Sequence, residues 1–182
     1  LMSSPYCLIK YTMDYLSAFT NSDLYLGWGK WGNVYRYIVD SHNFIDNKYR
    51  DKIKISALSM DIFNYIHTPW THCLKNKRIL IVSPFIDSIK EKENIRKEIY
   101  GVDLFPNCSF VYLKPPQTQG LVRSKDYYIE LQPFLDKLEL IKDDFDIALC
   151  SCGGYGNIVV NYIYNMNKSA IYVGGVLQMY FG

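Results

Sequence analysis

The sequence has 182 residues, enough for one domain with a sizeable core, and 49% of them are hydrophobic, as is typical of globular proteins. The formal net charge is only +2, so no strongly basic face is indicated and we expect no nucleic-acid partner. No apolar run approaches the roughly 20 residues needed to span a bilayer, which predicts that the chain has no membrane span.

The cysteine content favours a reducing compartment. There are five cysteines, an odd number. Cys150 and Cys152 are two apart in a predicted strand and share a face, so they are not expected to bridge each other. We interpret all five as reduced thiols of a cytoplasmic protein. No second Cys/His pair stands at ligand spacing, which argues against a zinc site.

The segment 1–74 is predicted to be rich in helix and loop. Apolar residues at near-helical spacing predict a helix over 6–19, and 24–26 is predicted to be a short strand. A loop over 27–33 follows, with three glycines and two tryptophans. Two interpretations of this loop stay open: a flexible connector whose tryptophans cover the core, or an aromatic platform for a ligand.

The rest of this first part alternates between less regular segments. The apolar segment 34–39 fits a helix or a strand, and 40–51 is polar and predicted to be a loop. Alternation predicts a short strand over 53–56. Apolar spacing predicts a helix over 59–67, which Pro69 ends because proline disfavours helical conformation before it.

The segment 75–182 is predicted to be a βαβ core. Four consecutive aliphatic residues at 79–82 predict a strand buried on both faces, and the next helix is expected to be capped by Asp87 or Ser88. Further strands and helices then alternate, over 109–113, 126–142, 146–150, 157–167 and 170–173. In the helix over 126–142, Pro133 either begins the regular part or kinks it.

This alternation predicts an α/β, Rossmann-like fold with a mostly parallel sheet and helices on both faces. We expect a single domain over 1–182. The sequence stops at Gly182 directly after a motif, and we expect the natural chain to continue beyond it.

The strongest candidate site is the turn Gly153-Gly154-Tyr155-Gly156, between a predicted strand and a helix that starts near Asn157. Glycines let backbone N–H groups approach a ligand, and a helix amino end favours a phosphate or carboxylate. A tight turn without a ligand is the alternative. The G-x-G-x-x-G spacing and the acid after the next strand are both absent, so we expect no NAD and no flavin.

Other loops should meet this turn at the carboxyl edge of a parallel sheet. Lys114 suits a phosphate as a point charge, and Gln117, Gln119 and Gln178 suit a sugar or base, with plain surface positions as the alternative. Cys152 stands where a helix amino end lowers a thiol pKa, but no histidine is predicted near it for nucleophilic catalysis. The candidate substrate-binding residues are Ser83, Pro84, Phe85, Lys114, Gln117, Cys152, Gly153, Gly154, Tyr155, Gly156, Asn157, Gly174, Gly175 and Gln178.

Three segments carry a resemblance to known proteins: KRILIVSPF at 77–85, FDIALCSCGGYG at 145–156 and AIYVGGVLQMYFG at 170–182. They resemble a family of uncharacterised proteins, often found near polysaccharide genes, that is similar to GT-D-type glycosyltransferase domains. The resemblance covers the second half well and the first half loosely.

The resemblance implies a Rossmann-like domain that binds a nucleotide-sugar donor and transfers the sugar to a glycan or protein acceptor. In GT-D domains an Asp-x-Glu motif in the first half is tied to the donor and to a metal, here manganese or magnesium. The nearest candidate is Asp23-Leu24-Tyr25, which lacks the glutamate, so Asp23 is the candidate catalytic residue and metal ligand. An ordinary linking aspartate is the alternative for Asp23. For the chain, the alternative is a non-catalytic nucleotide- or glycan-binding module of a larger protein.

Overall fold

The computed structural model describes residues 4–27, 35–118 and 124–182. The helices of these ranges are α1 (Pro5–Asn21), α2 (Tyr35–Lys48), α3 (Ile62–Tyr65), α4 (Ile86–Lys92), α5 (Arg96–Tyr100), α6 (Tyr127–Leu140) and α7 (Gly156–Asn165). The strands are β1 (Leu24–Gly27), β2 (Ile53–Ser56), β3 (Arg78–Val82), β4 (Ser109–Leu113), β5 (Ile147–Cys150) and β6 (Ser169–Tyr172). Short 3-10 segments lie at Ala57–Met60, Trp70–Leu74, Glu93–Ile95, Gly153–Tyr155 and Gly174–Phe181. Within the described ranges, no helix is both long enough and apolar enough to cross a membrane.

Strands β3 to β6 form one parallel sheet in the order β4-β3-β5-β6. Val82 is paired with Leu113 on one side and with Cys150 on the other, and Cys150 is paired in turn with Tyr172. The carboxyl ends of the four strands therefore meet at one edge of the sheet. The predicted α/β, Rossmann-like fold with a parallel sheet is confirmed.

Strand β3 is buried on both faces, as its run of aliphatic residues predicts. Leu80 and Val82 pack in a first cluster with α6 and α7, whereas Ile79 and Ile81 pack in a second cluster with α4. All four side chains are fully buried, and each such burial is worth about 2 kcal/mol. The helices on the two faces thus cover the sheet because alternate side chains of its strands are apolar.

Helix α1 lies beside α7 on the first face. Its Tyr11 hydroxyl donates to the Gly154 carbonyl at the start of α7, and its Asn21 side chain donates to Asn161 Oδ1 further along α7, at 2.8 Å. Contacts thus follow one another in the same order on both helices, so α1 and α7 run in about the same direction. The predicted helix over 6–19 is confirmed.

Strands β1 and β2 form a separate parallel pair, with Leu24 opposite Ile53. The strands predicted over 24–26 and 53–56 are confirmed. Leu26 and Ile55 pack against the second cluster, which joins this pair to the rest of the core. The tryptophan loop predicted over 27–33 lies outside the described residues, apart from Gly27 at the end of β1.

The loop predicted over 40–51 is wrong, since α2 occupies most of it and the ambiguous segment before it is also helical from residue 35. The half-buried or buried residues of this region recur at helical spacing: Val39, His42, Ile45, Asp46 and Tyr49. Tyr49 is only 7% exposed, and its ring stacks on Phe19 of α1 with centroids 5.6 Å apart. Packing of one narrow face outweighs the polar composition of the segment.

Two helix starts also differ from prediction. The helix predicted over 59–67 is divided into a 3-10 segment and the short α3, whose Phe63 N–H donates to the Asp61 side chain at 3.0 Å. The cap predicted at Asp87 or Ser88 is wrong because α4 already begins at Ile86. Pro133 lies inside α6 and does not begin it.

Candidate functional site

The strand order leaves a crevice between the carboxyl ends of β3 and β5. The connection after β3 leads to α4 on the second face, whereas the connection after β5 leads to α7 on the first face. Ligands of open α/β sheets bind where neighbouring connections separate in this way. Here Ser83-Pro84-Phe85 follows one strand and Ser151 to Gly154 follows the other, and the Ser151 N–H donates to the Val82 carbonyl at 2.7 Å.

The glycine turn beside this crevice is a single 3-10 turn that leads into α7. Gly153 has a φ of 53°, in the left-handed region that favours glycine. The turn's own hydrogen bonds are donated by Tyr155 to the Cys152 carbonyl and by Gly156 to the Gly153 carbonyl. The N–H groups of Gly153 and Gly154 precede these bonds and have no hydrogen-bond partner in the described part of the chain.

The direction of these two N–H groups follows from peptide geometry. In a trans peptide the C=O and N–H bonds point to opposite sides. The Cys152 and Gly153 carbonyls point into the helical turn, so the N–H groups of Gly153 and Gly154 point away from it. Successive N–H groups around a left-handed residue, placed before a helix, form a concavity suited to an anion.

Ser151 adds a polar side chain at the same place. It follows β5 directly and is only 8% exposed. Its hydroxyl makes no hydrogen bond within the described ranges. Its oxygen is not among the fully buried side-chain atoms, so solvent reaches it and it can bond to a water molecule or to a polar ligand.

Three tyrosines, Tyr11, Tyr15 and Tyr172, lie around the glycine turn, which itself contains a fourth, Tyr155. The Tyr11 hydroxyl donates to the Gly154 carbonyl at 2.6 Å, and the Tyr172 hydroxyl donates to the Gly153 carbonyl at 3.1 Å. The Asn157 side chain is near enough to the Tyr15 hydroxyl to oppose the rise of its pKa that burial causes, so Asn157 faces α1. Burial raises the pKa of all four phenols, that of Tyr172 to about 12, so they stay protonated donors at neutral pH.

Cys152 does not have the reactive thiol that a helix amino end would favour. It is 7% exposed, and burial raises the pKa of its thiol to about 12. The expectation of a lowered pKa is therefore wrong, because desolvation of the thiolate outweighs the dipole of α7. The Cys152 side chain belongs to the first cluster of the core.

We expect alkylation to separate Cys152 from the exposed Cys73. At pH 8 a thiol with a pKa of about 12 is ionised in only about one molecule in ten thousand, and burial also blocks access. Iodoacetamide followed by peptide mass spectrometry should label Cys73 readily and Cys152 only after denaturation. Labelling of Cys152 in the native protein at the rate of Cys73 would contradict this assignment.

Lys114 and Asp87 form an ion pair at the rim of the crevice. Lys114 follows β4, Asp87 lies in α4 after β3, and Lys114 Nζ is 3.1 Å from Asp87 Oδ2. Both side chains are exposed, so the pair adds little stability and is readily exchanged for another partner. The lysine predicted to bind phosphate is thus at the correct edge of the sheet, balanced by a carboxylate.

The loop after β4 reaches the glycine turn through a different residue from those predicted. Gln117 donates its side-chain N–H to the carbonyls of Pro115 and Pro116, so it holds its own loop. Thr118, next to it, shares a hydrogen bond of 2.9 Å with the Tyr155 hydroxyl. Gln119 lies outside the described residues.

The remaining candidates lie on the second face. Gly174, with a φ of 64°, and the exposed Gly175 begin the 3-10 segment that carries Gln178. Gln178 and Phe85 line one cleft of about 250 Å³ between this segment and α4. Phe85 is 49% exposed, while Ser83 is fully buried and its hydroxyl accepts the Phe85 N–H. Gln178 therefore lies close to the loop after β3, as a site formed by both of these loops requires.

Asp23 is not brought to the glycine turn. It is exposed and lies beyond the end of α1, whereas Tyr11, which contacts the turn, is in the middle of that helix. The part of α1 from Tyr11 to Asn21 alone rises about 15 Å. In the described ranges, no three His, Cys, Asp or Glu side chains come together as a metal-binding group.

Sequence reasoning missed the residues that hold the turn. Tyr11, Tyr172 and Thr118 were not among the candidates, although they contact the predicted glycines or Tyr155. The chain has 17 tyrosines, so residue type alone gives no signal. Only the packing of α1 on α7 identifies Tyr11.

No family model matches the chain, and comparison with curated proteins and with solved structures finds no match either. The resemblance to GT-D-type domains therefore stays a prediction. The structure defines a Rossmann-like α/β domain whose candidate site is the crevice between β3 and β5.

Proposed function

We propose that this domain binds a nucleotide-diphosphate sugar at the crevice and transfers the sugar to a glycan or protein acceptor. One observation supports the proposal most: two N–H groups, of Gly153 and Gly154, point away from α7 at the carboxyl edge of the sheet. Backbone donors before a helix suit a phosphate group.

Each part of the donor has a suitable partner around the crevice. The diphosphate would lie at Gly153 to Asn157, with Lys114 released from Asp87 to offset its charge. Phe85 and Gln178 offer an aromatic face and an amide for the base or the sugar. Sugar transfer requires stabilisation of the leaving diphosphate, and fixed N–H donors supply it without reorganisation.

A manganese or magnesium ion is the cofactor that the resemblance implies. The described residues do not provide a protein-built site for it, since Asp23 lies away from the turn and no ligand group of three side chains forms. Magnesium often binds through substrate phosphates and one or two carboxylates. We therefore assign no step of the reaction to a metal.

A non-catalytic nucleotide- or glycan-binding module is the second candidate function. The distance of Asp23 from the glycine turn favours it, because the predicted catalytic carboxylate does not meet the predicted phosphate site. A cytoplasmic location is proposed for both alternatives. It is supported by the cysteines, all of which are free thiols.

Calorimetry with a panel of nucleotide-diphosphate sugars, with and without manganese, tests the proposal. We expect one donor to bind. We expect Lys114→Ala to lower the affinity for that donor about tenfold, through loss of a charge-assisted hydrogen bond. The matched control is Lys137→Ala. Lys137 is exposed and lies in the second half of α6, and this half leads to the amino edge of the sheet, opposite the crevice.

Three outcomes separate the candidates. Binding with transfer or hydrolysis of the sugar supports the transferase. Binding without turnover, unchanged by Asp23→Ala, supports the module. If no donor binds the unmodified protein under any metal condition, both nucleotide proposals are wrong.

A further inference from the structure

Two tyrosine hydroxyls from distant parts of the chain donate to consecutive carbonyls of the glycine turn. Tyr11 comes from α1 and bonds to Gly154, 143 residues away, at 2.6 Å. Tyr172 comes from the end of β6 and bonds to Gly153 at 3.1 Å. Both acceptors are exposed glycines, to which water would otherwise bond equally well.

The turn has few other restraints. Its two internal hydrogen bonds have the poorer geometry of a 3-10 turn. Gly153 has no side chain and nothing lies within 4 Å of where its Cβ would stand, so packing does not fix its peptide groups. Glycine also has more backbone freedom to lose than any other residue. Restraint of this turn must therefore come from outside it.

We propose that Tyr11 and Tyr172 are positioning residues of the anion site, which fix the glycine turn so that the Gly153 and Gly154 N–H groups face the crevice. The inference rests on the proposed function, because the N–H groups are taken to bind the diphosphate. The Gly153 carbonyl shares its peptide plane with the Gly154 N–H, so the Tyr172 hydroxyl holds that N–H directly. The Gly154 carbonyl shares its plane with the Tyr155 N–H, which donates to the Cys152 carbonyl. The Tyr11 hydroxyl therefore holds the Gly153 N–H, which lies on the other side of the Cys152 peptide group, through one further hydrogen bond. Binding then orders little that is not already ordered, which favours affinity.

Both tyrosines are themselves held in place. The Tyr172 ring lies against the start of α7, where Gly156 has no Cβ to obstruct it. The Tyr11 ring packs edge-on against Tyr127, with centroids 5.2 Å apart. The Tyr127 hydroxyl in turn donates to Asp14 of α1 at 2.6 Å. The two donors are thus carried by the packed elements α1 and β6, and α6 supports the first of them through Tyr127.

Tyr11→Phe and Tyr172→Phe test the inference because they keep both rings and remove only the hydroxyls. Water can replace the lost donors at exposed carbonyls, so we expect little change in melting temperature. Amide hydrogen exchange at Tyr155 and Gly156, the donors inside the turn, should become about fivefold faster in each variant. Affinity for inorganic pyrophosphate should fall by about the same factor. Tyr164→Phe, at an exposed position of α7, is the matched control and should change neither quantity.

The two measurements distinguish failure of this inference from failure of the proposed function. If the unmodified protein binds pyrophosphate and the two Phe variants match it in exchange and affinity, the positioning role is wrong and the proposed function stands. If exchange becomes faster but the unmodified protein binds neither pyrophosphate nor a nucleotide-diphosphate sugar, the anion site is wrong, although the hydroxyls do restrain the turn.

Discussion

Phe105→Ala is expected to lower the free energy of unfolding by about 4 kcal/mol, the largest effect we predict for a single substitution. Phe105 is fully buried in the second cluster. Its ring stacks on Phe181 with centroids 5.5 Å apart and meets the Phe110 ring edge-on at the same distance. Removing it leaves a cavity beside the 3-10 segment that carries Gln178, and urea denaturation measures the cost.

Phe63→Ala is the matched control for this substitution. It makes the same chemical change at a side chain that is 76% exposed, so we expect a loss within about 0.5 kcal/mol. If the two variants unfold at the same urea concentration, the second cluster does not depend on Phe105 as the packing indicates. The slope of the unfolding free energy against urea should be unchanged in both variants.

Gly156→Ala is expected to cost about 2 kcal/mol. A Cβ at this position would lie 2.2 Å from Cε2 of Tyr172, so the ring has to move. Overpacking of this kind costs about 3 kcal/mol, and the better helix propensity of alanine returns about 1 kcal/mol. The displaced ring also loses its hydrogen bond to the Gly153 carbonyl, so we expect weaker pyrophosphate binding as well.

Urea denaturation with two further variants isolates the cause. Gly175→Ala, at an exposed glycine with nothing within 4 Å of the added methyl group, should not lower stability. In a Tyr172→Ala background the ring is absent, so Gly156→Ala should no longer be destabilising. If Gly156→Ala lowers the free energy of unfolding in that background as much as it does in the unmodified protein, Tyr172 is not the obstacle.

The sheet could be predicted from the sequence because its strands are short apolar runs with β-branched residues. Ile79 to Val82 is buried on both faces, as is usual for a strand of a parallel sheet that helices cover on both sides. Helix α2 could not be predicted in the same way. Most of its residues are polar, and its helical periodicity rests on side chains that are only half-buried.

The candidate site could be predicted where it depends on strand ends and not where it depends on helix packing. The glycine turn, Lys114 and the loop after β3 all lie at the carboxyl edge, as parallel strands require. Asp23 is a candidate because Asp23-Leu24-Tyr25 is the nearest match in the first half to the Asp-x-Glu motif that the resemblance implies. No local pattern indicates that α1 runs alongside α7 in the same direction, and this orientation takes Asp23 away from the turn.

The long-range contacts of the glycine turn also bear on the order in which this protein folds. Parallel pairing of β3 with β5 joins residues such as Val82 and Cys150, and the Tyr11 hydroxyl joins α1 to Gly154 across 143 residues. Contacts between residues so far apart in sequence form slowly, because long loops must close first. We therefore expect the turn to gain its final geometry only when α1 docks. An intermediate with the sheet formed and α1 undocked would have the fold but not the anion site.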